Sequence, residues 1–218
     1  MSLRHVSGGY LQRYTSGSAD GIPQYGGGTV CGWFTRRVDR NANSCLLLLR
    51  GEGTTGQYAG LYTGPGDDTM LVSTSAGDSP AMPITISNDE PFFAALMISG
   101  AYVFGAFASD SSDSLHSTAI AIGSDPQFNM VRIGDDGYGS WFDGESCGVM
   151  AFSRLIGVFG LWSLRRFRTP IDRTDLLFWL PEIDPVTAAN NRLDYSGAQR
   201  HFTVVGSPVA ADGSVRNW

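Results

Sequence analysis

Two acidic residues at strand spacing, Glu182 and Asp184, are the nearest this sequence comes to a catalytic pair. Alternation along an extended chain would put both carboxylates on one side. Retaining glycoside hydrolysis asks for that, an acid and a nucleophile about 5 Å apart. Pro181 and Pro185 bracket the pair, however, and proline interrupts a strand ladder. Val186 takes the next position on the same side, so no catalytic residue is assigned. His5, His116 and His201 are scattered, with no Cys or Asp at ligand spacing, which argues against a zinc site. There is no Gly-x-Ser-x-Gly elbow, and a chain without lysine cannot build a Gly-Lys phosphate loop.

Oxygen ligands and aromatic rings offer more. Asp67-Asp68, Asp110 with Asp113, and Asp135-Asp136 sit in loop segments, where hard carboxylate oxygens suit Ca²⁺. Asp67, Asp68, Asp135 and Asp136 are the candidate ligands. Aspartate is equally favoured in turns for its own local hydrogen bonds, so these acids have a purely structural reading as well. Tyr138 and Trp141 lie in a glycine-rich turn, with Tyr62 behind them, and a ring face can stack on the apolar side of a sugar. Trp141 and Phe142 are consecutive and cannot both point inward on a regular strand. One of them is expected to face solvent or a partner subunit, and exposed aromatics serve protein interfaces as readily as sugars.

Composition narrows the class. The 218 residues suffice for one sandwich of generous size, with 42% hydrophobic and only 17% charged residues. Twenty-eight glycines and ten prolines favour many short strands over long helices. A net charge of −6 argues against a nucleic-acid surface, and all fifteen basic residues are arginine. No uninterrupted apolar window is long enough to span a bilayer, so no membrane insertion is expected. The first residues show no apolar stretch of a secretory signal. Cys31, Cys45 and Cys147 form no CxxC pair and read as small buried hydrophobes; a Cys31–Cys45 bridge would be off-partner in the hairpin expected there.

The elements that must carry these residues read as antiparallel β. Alternation and turn chemistry predict an edge strand over 9–14, then strands over 29–36 and 45–49 joined as a hairpin by the polar loop 36–43. Strands over 58–63 and 70–75 follow as a second hairpin. Short strands are expected at 84–87 and 118–122. The continuously apolar stretch 92–99 should be a strand buried on both faces, returning at Gly100 into 102–108. Residues 134–139 are a turn, 142–152 a strand, 157–166 a short helix, and 176–180 and 201–205 the last strands.

Val131-Arg132-Ile133-Gly134, Phe142-Asp143-Gly144-Glu145, the strand from Cys147 to Arg154, and Asp194-Tyr195-Ser196-Gly197 ahead of His201–Val205 together resemble a laminin-G-like or concanavalin A-like jelly roll. The likeness is clearest over residues 92–210. It implies an all-β fold, an antiparallel two-sheet β-sandwich with one short helix, as a single domain over 1–208 followed by a tail over 209–218. Sandwich glycosidases of this fold class carry a Glu-x-Asp-x-Glu strand, which Glu182-Ile183-Asp184 does not complete. The resemblance also implies Ca²⁺ at a sandwich rim as the one candidate cofactor. Such domains occur as decoration, fibre or tail-associated modules of phage virions. The expected role is therefore a non-catalytic virion module assembled in the host cytoplasm, whose partners are other virion proteins or copies of itself. The alternative is an extracellular lectin-like module that binds cell-surface glycans, and an enzyme acting on polysaccharide comes last.

Overall fold

The computed structural model describes residues 3–5, 9–15, 21–24, 26–38, 40, 42–51, 57–65, 69–109, 114–122, 127–181, 194–198, 200–206 and 209–210. In chain order the elements are β1 (Leu3–His5), β2 (Tyr10–Tyr14), β3 (Gly28–Arg36), β4 (Ser44–Arg50), β5 (Tyr58–Thr63) and β6 (Thr69–Thr74). Then come β7 (Gly77–Asp78), β8 (Met82–Pro83), β9 (Pro91–Ser99), β10 (Tyr102–Ser109), β11 (His116–Ala121), β12 (Met130–Ile133) and β13 (Gly144–Phe152). The helix α1 (Val158–Phe167) precedes β14 (Leu176–Leu180), β15 (Thr203–Val205) and β16 (Val209–Ala210). The strands form two antiparallel sheets, the jelly-roll sandwich that the resemblance implies. Sheet A runs β11-β10-β9-β3-β13-β1-β16, with β14 also on β13; sheet B runs β15-β2-β12-β4-β5-β6-β7, with β8 also on β6.

Between the sheets lies the main core, which includes Leu11, Val30, Phe34, Leu47, Leu49, Leu61, Phe92, Phe107 and Phe142. Phe34 and Phe142 meet edge to face, centroids 5.9 Å apart. β9 explains its own unbroken apolar run. Phe92, Ala94, Leu96 and Ile98 enter the main core, while Phe93, Ala95 and Met97 join Cys31, Trp33, Phe152, Leu161 and Leu164 beneath α1. The helix starts at Gly157 without a side-chain cap and stops where Arg168 turns left-handed, its N–H donating to the Leu164 carbonyl at 2.9 Å. Arg165 and Arg166 sit in its last turn, the favourable end for cations.

Both local hairpins form as expected, β5 with β6 and β9 with β10, the latter turning at Gly100 with φ 55°. The hairpin expected between 29–36 and 45–49 does not. β3 pairs with β9 and β13 in sheet A, whereas β4 pairs with β12 and β5 in sheet B, so the loop between them crosses the sandwich. A polar loop of that length fits either route, and only distant strands decide it. Cys31 and Cys45 consequently lie in different sheets, and all three cysteines are buried thiols outside any disulfide.

Three smaller differences have local causes. β2 is not an edge strand, because β15 covers its outer side. Residues 84–87 form no strand; Ile84 and Ile86 are buried alternately, yet Pro83 ends the ladder of β8 and Arg36 takes the Ile86 carbonyl. β16 pairs with Leu3 and Arg4, so sheet A extends past the boundary expected at residue 208.

Asp194 fastens the last strands. Its carboxylate accepts from the N–H groups of Trp179 (2.9 Å), Ser196 (2.8 Å) and Arg200 (2.9 Å) and from the Ser196 hydroxyl (2.7 Å). The Asp-Tyr-Ser-Gly segment is thus a clasp between β14 and the approach to β15.

Candidate functional site

The turn after β12 folds back onto the outer face of sheet B. Gly134, Gly137 and Gly139 adopt φ of 93°, 80° and 102°, the left-handed region that glycine enters without strain. Asp135 and Asp136 organise the turn. Asp135 Oδ1 accepts the Gly137 N–H, and Asp136 Oδ1 accepts those of Tyr138 (2.7 Å) and Ser140 (3.2 Å). Two further bonds seat the turn on β4: Gly134 N–H donates to Leu46 O at 3.0 Å, and Cys45 N–H to Ser140 O at 2.8 Å. Arg132 reaches underneath, donating from Nη1 to the Asp136 carbonyl (2.9 Å) and from Nε to Gln12 Oε1 (2.9 Å). A Cβ at Gly137 would stand 1.9 Å from Arg132 Nη1, so the guanidinium needs a glycine there.

The outcome is a tyrosine held in solvent. Tyr138 is 73% exposed, with the Arg50 guanidinium 4.9 Å from its ring centroid. Beside it opens a cleft of about 270 Å³ lined by Leu48, Arg50, Tyr58, Tyr62, Asp136 and Tyr138. β5 supplies Tyr58 and Tyr62 on one face, with Gly60 between them. The Tyr58 hydroxyl shares a hydrogen bond with the Ser73 hydroxyl at 2.9 Å. Tyr62 is buried and hydrogen-bonded to Cys45; burial raises both groups above their ordinary values, so both stay protonated at neutral pH.

Of the three aromatic residues expected at a sugar platform, the structure brings two together. Tyr138 and Tyr62 line one cleft. Trp141 does not: it lies half-buried beside Cys45, and the Arg40 guanidinium covers its ring at 3.5 Å. Of the consecutive pair, Phe142 is the one that enters the core. Sequence reading missed Leu48, Arg50 and Tyr58. The signal for Tyr58 was present in the Tyr58-Gly60-Tyr62 alternation, and parity with Leu48 would have added Arg50 once β4 and β5 were known to pair.

The acids behave as turn residues. Asp135 and Asp136 each commit an oxygen to backbone N–H groups, and burial raises the Asp135 carboxyl above the ordinary carboxylate value against the opposing pull of the Gly137 N–H. Asp67, Asp68, Glu182 and Asp184 lie outside the described residues. Among the described residues no group of three or more His, Cys, Asp or Glu could hold a metal ion. The histidines are not brought together. His5 is fully buried, donating from Nδ1 to Gly9 O at 3.1 Å while Nε2 accepts the Ser146 hydroxyl at 2.7 Å. His201 Nδ1 accepts the Asp194 N–H at 3.2 Å, and His116 lies on the outer strand β11. No helix among the described residues is long and apolar enough to cross a membrane.

No protein-family model matches this sequence, and no curated protein matches it. Solved structures share its fold. Tailspike protein 2 of an Escherichia coli O157:H7 bacteriophage superposes with a TM-score of 0.53 at 10% identity, over 77% of this chain and 26% of that one. Trypanosoma rangeli sialidase gives 0.54 at 14% identity, over 78% of this chain and 28% of that one. The LG1-3 region of the laminin alpha2 chain gives 0.53 at 10% identity, over 69% of this chain and 30% of that one. The chain thus spans between a quarter and a third of the solved chains it resembles, and at these identities what is shared is the jelly-roll sandwich fold.

Proposed function

We propose that the cleft on the outer face of sheet B binds a saccharide, and that the chain acts without catalysis as a tail-associated recognition module of a phage virion. The observation that carries this reading is Tyr138: a large ring kept 73% exposed by a turn whose acids and glycines serve to hold it there. A ring in that position offers a flat stacking face. Arg50 and the Tyr58 hydroxyl offer directional donors beside it, the combination of apolar wall and few polar groups that small-ligand sites use. Among the described residues Asp136 is the one carboxylate lining the cleft, whereas hydrolysis by paired carboxylates requires two. A bacteriophage tailspike among the structures that share the fold supports the virion setting.

Glycan-array retention of the full chain, repeated with Tyr138→Ala, tests the proposal. Retention of a defined glycan by the native protein, weakened at least about tenfold in the variant, is expected. Absence of retention, or retention that the variant leaves intact, overturns it. Release of reducing sugar from a retained glycan overturns the non-catalytic part.

A further inference from the structure

The opposite face of the molecule carries a second surface that the cleft does not involve. Around α1, Leu155, Val158, Phe159, Phe167 and Ile171 are 45%, 58%, 90%, 55% and 62% exposed. Isolated apolar residues on a surface need no explanation, but a contiguous group of this kind marks an interaction site. The helix also stands as a ridge between two depressions. The larger, about 670 Å³, is bounded by Trp33, Trp162, Arg165, Arg166, Phe167 and Arg168. The other, about 340 Å³, includes Ile156, Gly160 and Ile171.

Charge identifies the occupant. Residues 154–175 hold five arginines against two aspartates, Asp172 and Asp175, both beside Arg154, while the rest of the chain holds ten arginines against nineteen acidic residues. A local charge of +3 therefore sits on a body of −9. Trp33 lines the larger depression; among the described residues its buried indole N–H has no acceptor, and the Arg168 guanidinium lies 4.6 Å from its ring. A carboxylate entering here would meet guanidinium groups and an unused donor. The acid-bearing surface that fits is the one this protein itself displays, for example at the exposed Glu90 and Asp78.

We infer that the α1 face docks onto the acidic surface of a second copy of this chain. Contact between two α1 faces would set arginine cluster against arginine cluster, and like-charge juxtaposition across an interface is strongly unfavourable. The contact is therefore heterologous, head to tail, and generates a closed ring or a longer array according to its rotation. Phe159 and Trp162 supply the apolar anchor, and Arg166 supplies the charge that selects the partner surface. Aromatic residues and arginine are the types that dominate such contacts.

Sedimentation equilibrium of the full chain from about 1 to 100 μM, the span in which modest specific contacts assemble, tests this inference. Expected are multiples of the single-chain mass, with association at least about tenfold weaker in Phe159→Asp and in Arg166→Glu. Both side chains are exposed, so circular dichroism and thermal melting should remain those of the native protein. A monomer throughout the range overturns the inference, as does association that neither variant weakens. So does a monomer that sediments with phosphatidylserine vesicles, which would make the patch a lipid surface. The glycan-array result is independent of every one of these outcomes.

Discussion

The Tyr62 ring lies directly across Gly60: a Cβ built at Gly60 would stand 2.4 Å from Tyr62 Cε2 and 3.0 Å from its hydroxyl oxygen. Glycine in a strand interior is ordinarily a weakness, yet here it leaves the space in which a cleft-lining ring rests. Gly60→Ala is therefore expected to lower stability by about 1–3 kcal/mol, the usual cost of overpacking, and to weaken glycan retention. Adding Tyr62→Leu to Gly60→Ala should recover much of the stability without recovering retention. Urea unfolding of the two single variants and the double variant measures this coupling; strictly additive effects would contradict the contact.

Asp136 joins the turn to the cleft. Asp136→Ala leaves the Tyr138 and Ser140 N–H groups without their acceptor, a loss of about 1–3 kcal/mol. Hydrogen exchange at those two amides should accelerate while exchange in β9, in the other sheet, stays slow. Unchanged protection at Tyr138 would show that the carboxylate does not hold the turn.

His5 gives the fold an acid sensitivity. Burial lowers its folded-state value from 6.5 to about 4, against the opposing bond to Gly9 O. Below pH 6.5 the unfolded chain takes up a proton that the folded chain refuses, so stability is complete above that pH and declines as pH falls towards 4. The total loss from this residue is roughly 3 kcal/mol. Urea midpoints compared at pH 7.5 and pH 4.5 should show the decline, and His5→Gln should flatten it. An equally steep decline in that variant would place the acid sensitivity elsewhere.

Asp194 closes the C-terminal part of the sandwich. Asp194→Ala orphans three backbone N–H groups at once, and a loss of roughly 3 kcal/mol is expected from charge-assisted bonds of this kind. Asp194→Asn keeps one acceptor oxygen and should retain about half of the difference. Thermal melting separates the two variants; identical melting temperatures for both and for the native protein would rule out the clasp.

Elements governed by neighbours in the chain were legible from the residues alone. The unbroken apolar run of β9 announced burial on both faces, Gly100 announced the return into β10, and the apolar positions of α1 announced a short helix. The glycines and aspartates of 134–139 announced a turn, because left-handed backbone and side-chain-to-backbone bonds are local requirements. Tyr138 and Trp141 could be named from that turn, with Tyr62 behind them, though not that only Tyr138 and Tyr62 would share a cleft.

Partner choice among strands belonged to the tertiary structure. β3 and β4 are consecutive yet do not pair: β3 joins β9 and β13, and β4 joins the distant β12 beside its chain neighbour β5, since closing a longer loop adds little entropy cost while burying both faces gains much. The same holds at the site. Arg50 reaches the Tyr138 ring across 88 positions of chain, and Arg40 covers Trp141 across 101. Residue types and spacing determined which side chains could stack, donate or turn the backbone. Which of them met was settled only when two sheets packed face to face, because contacts between distant segments depend on the whole fold and leave no periodic trace in either segment.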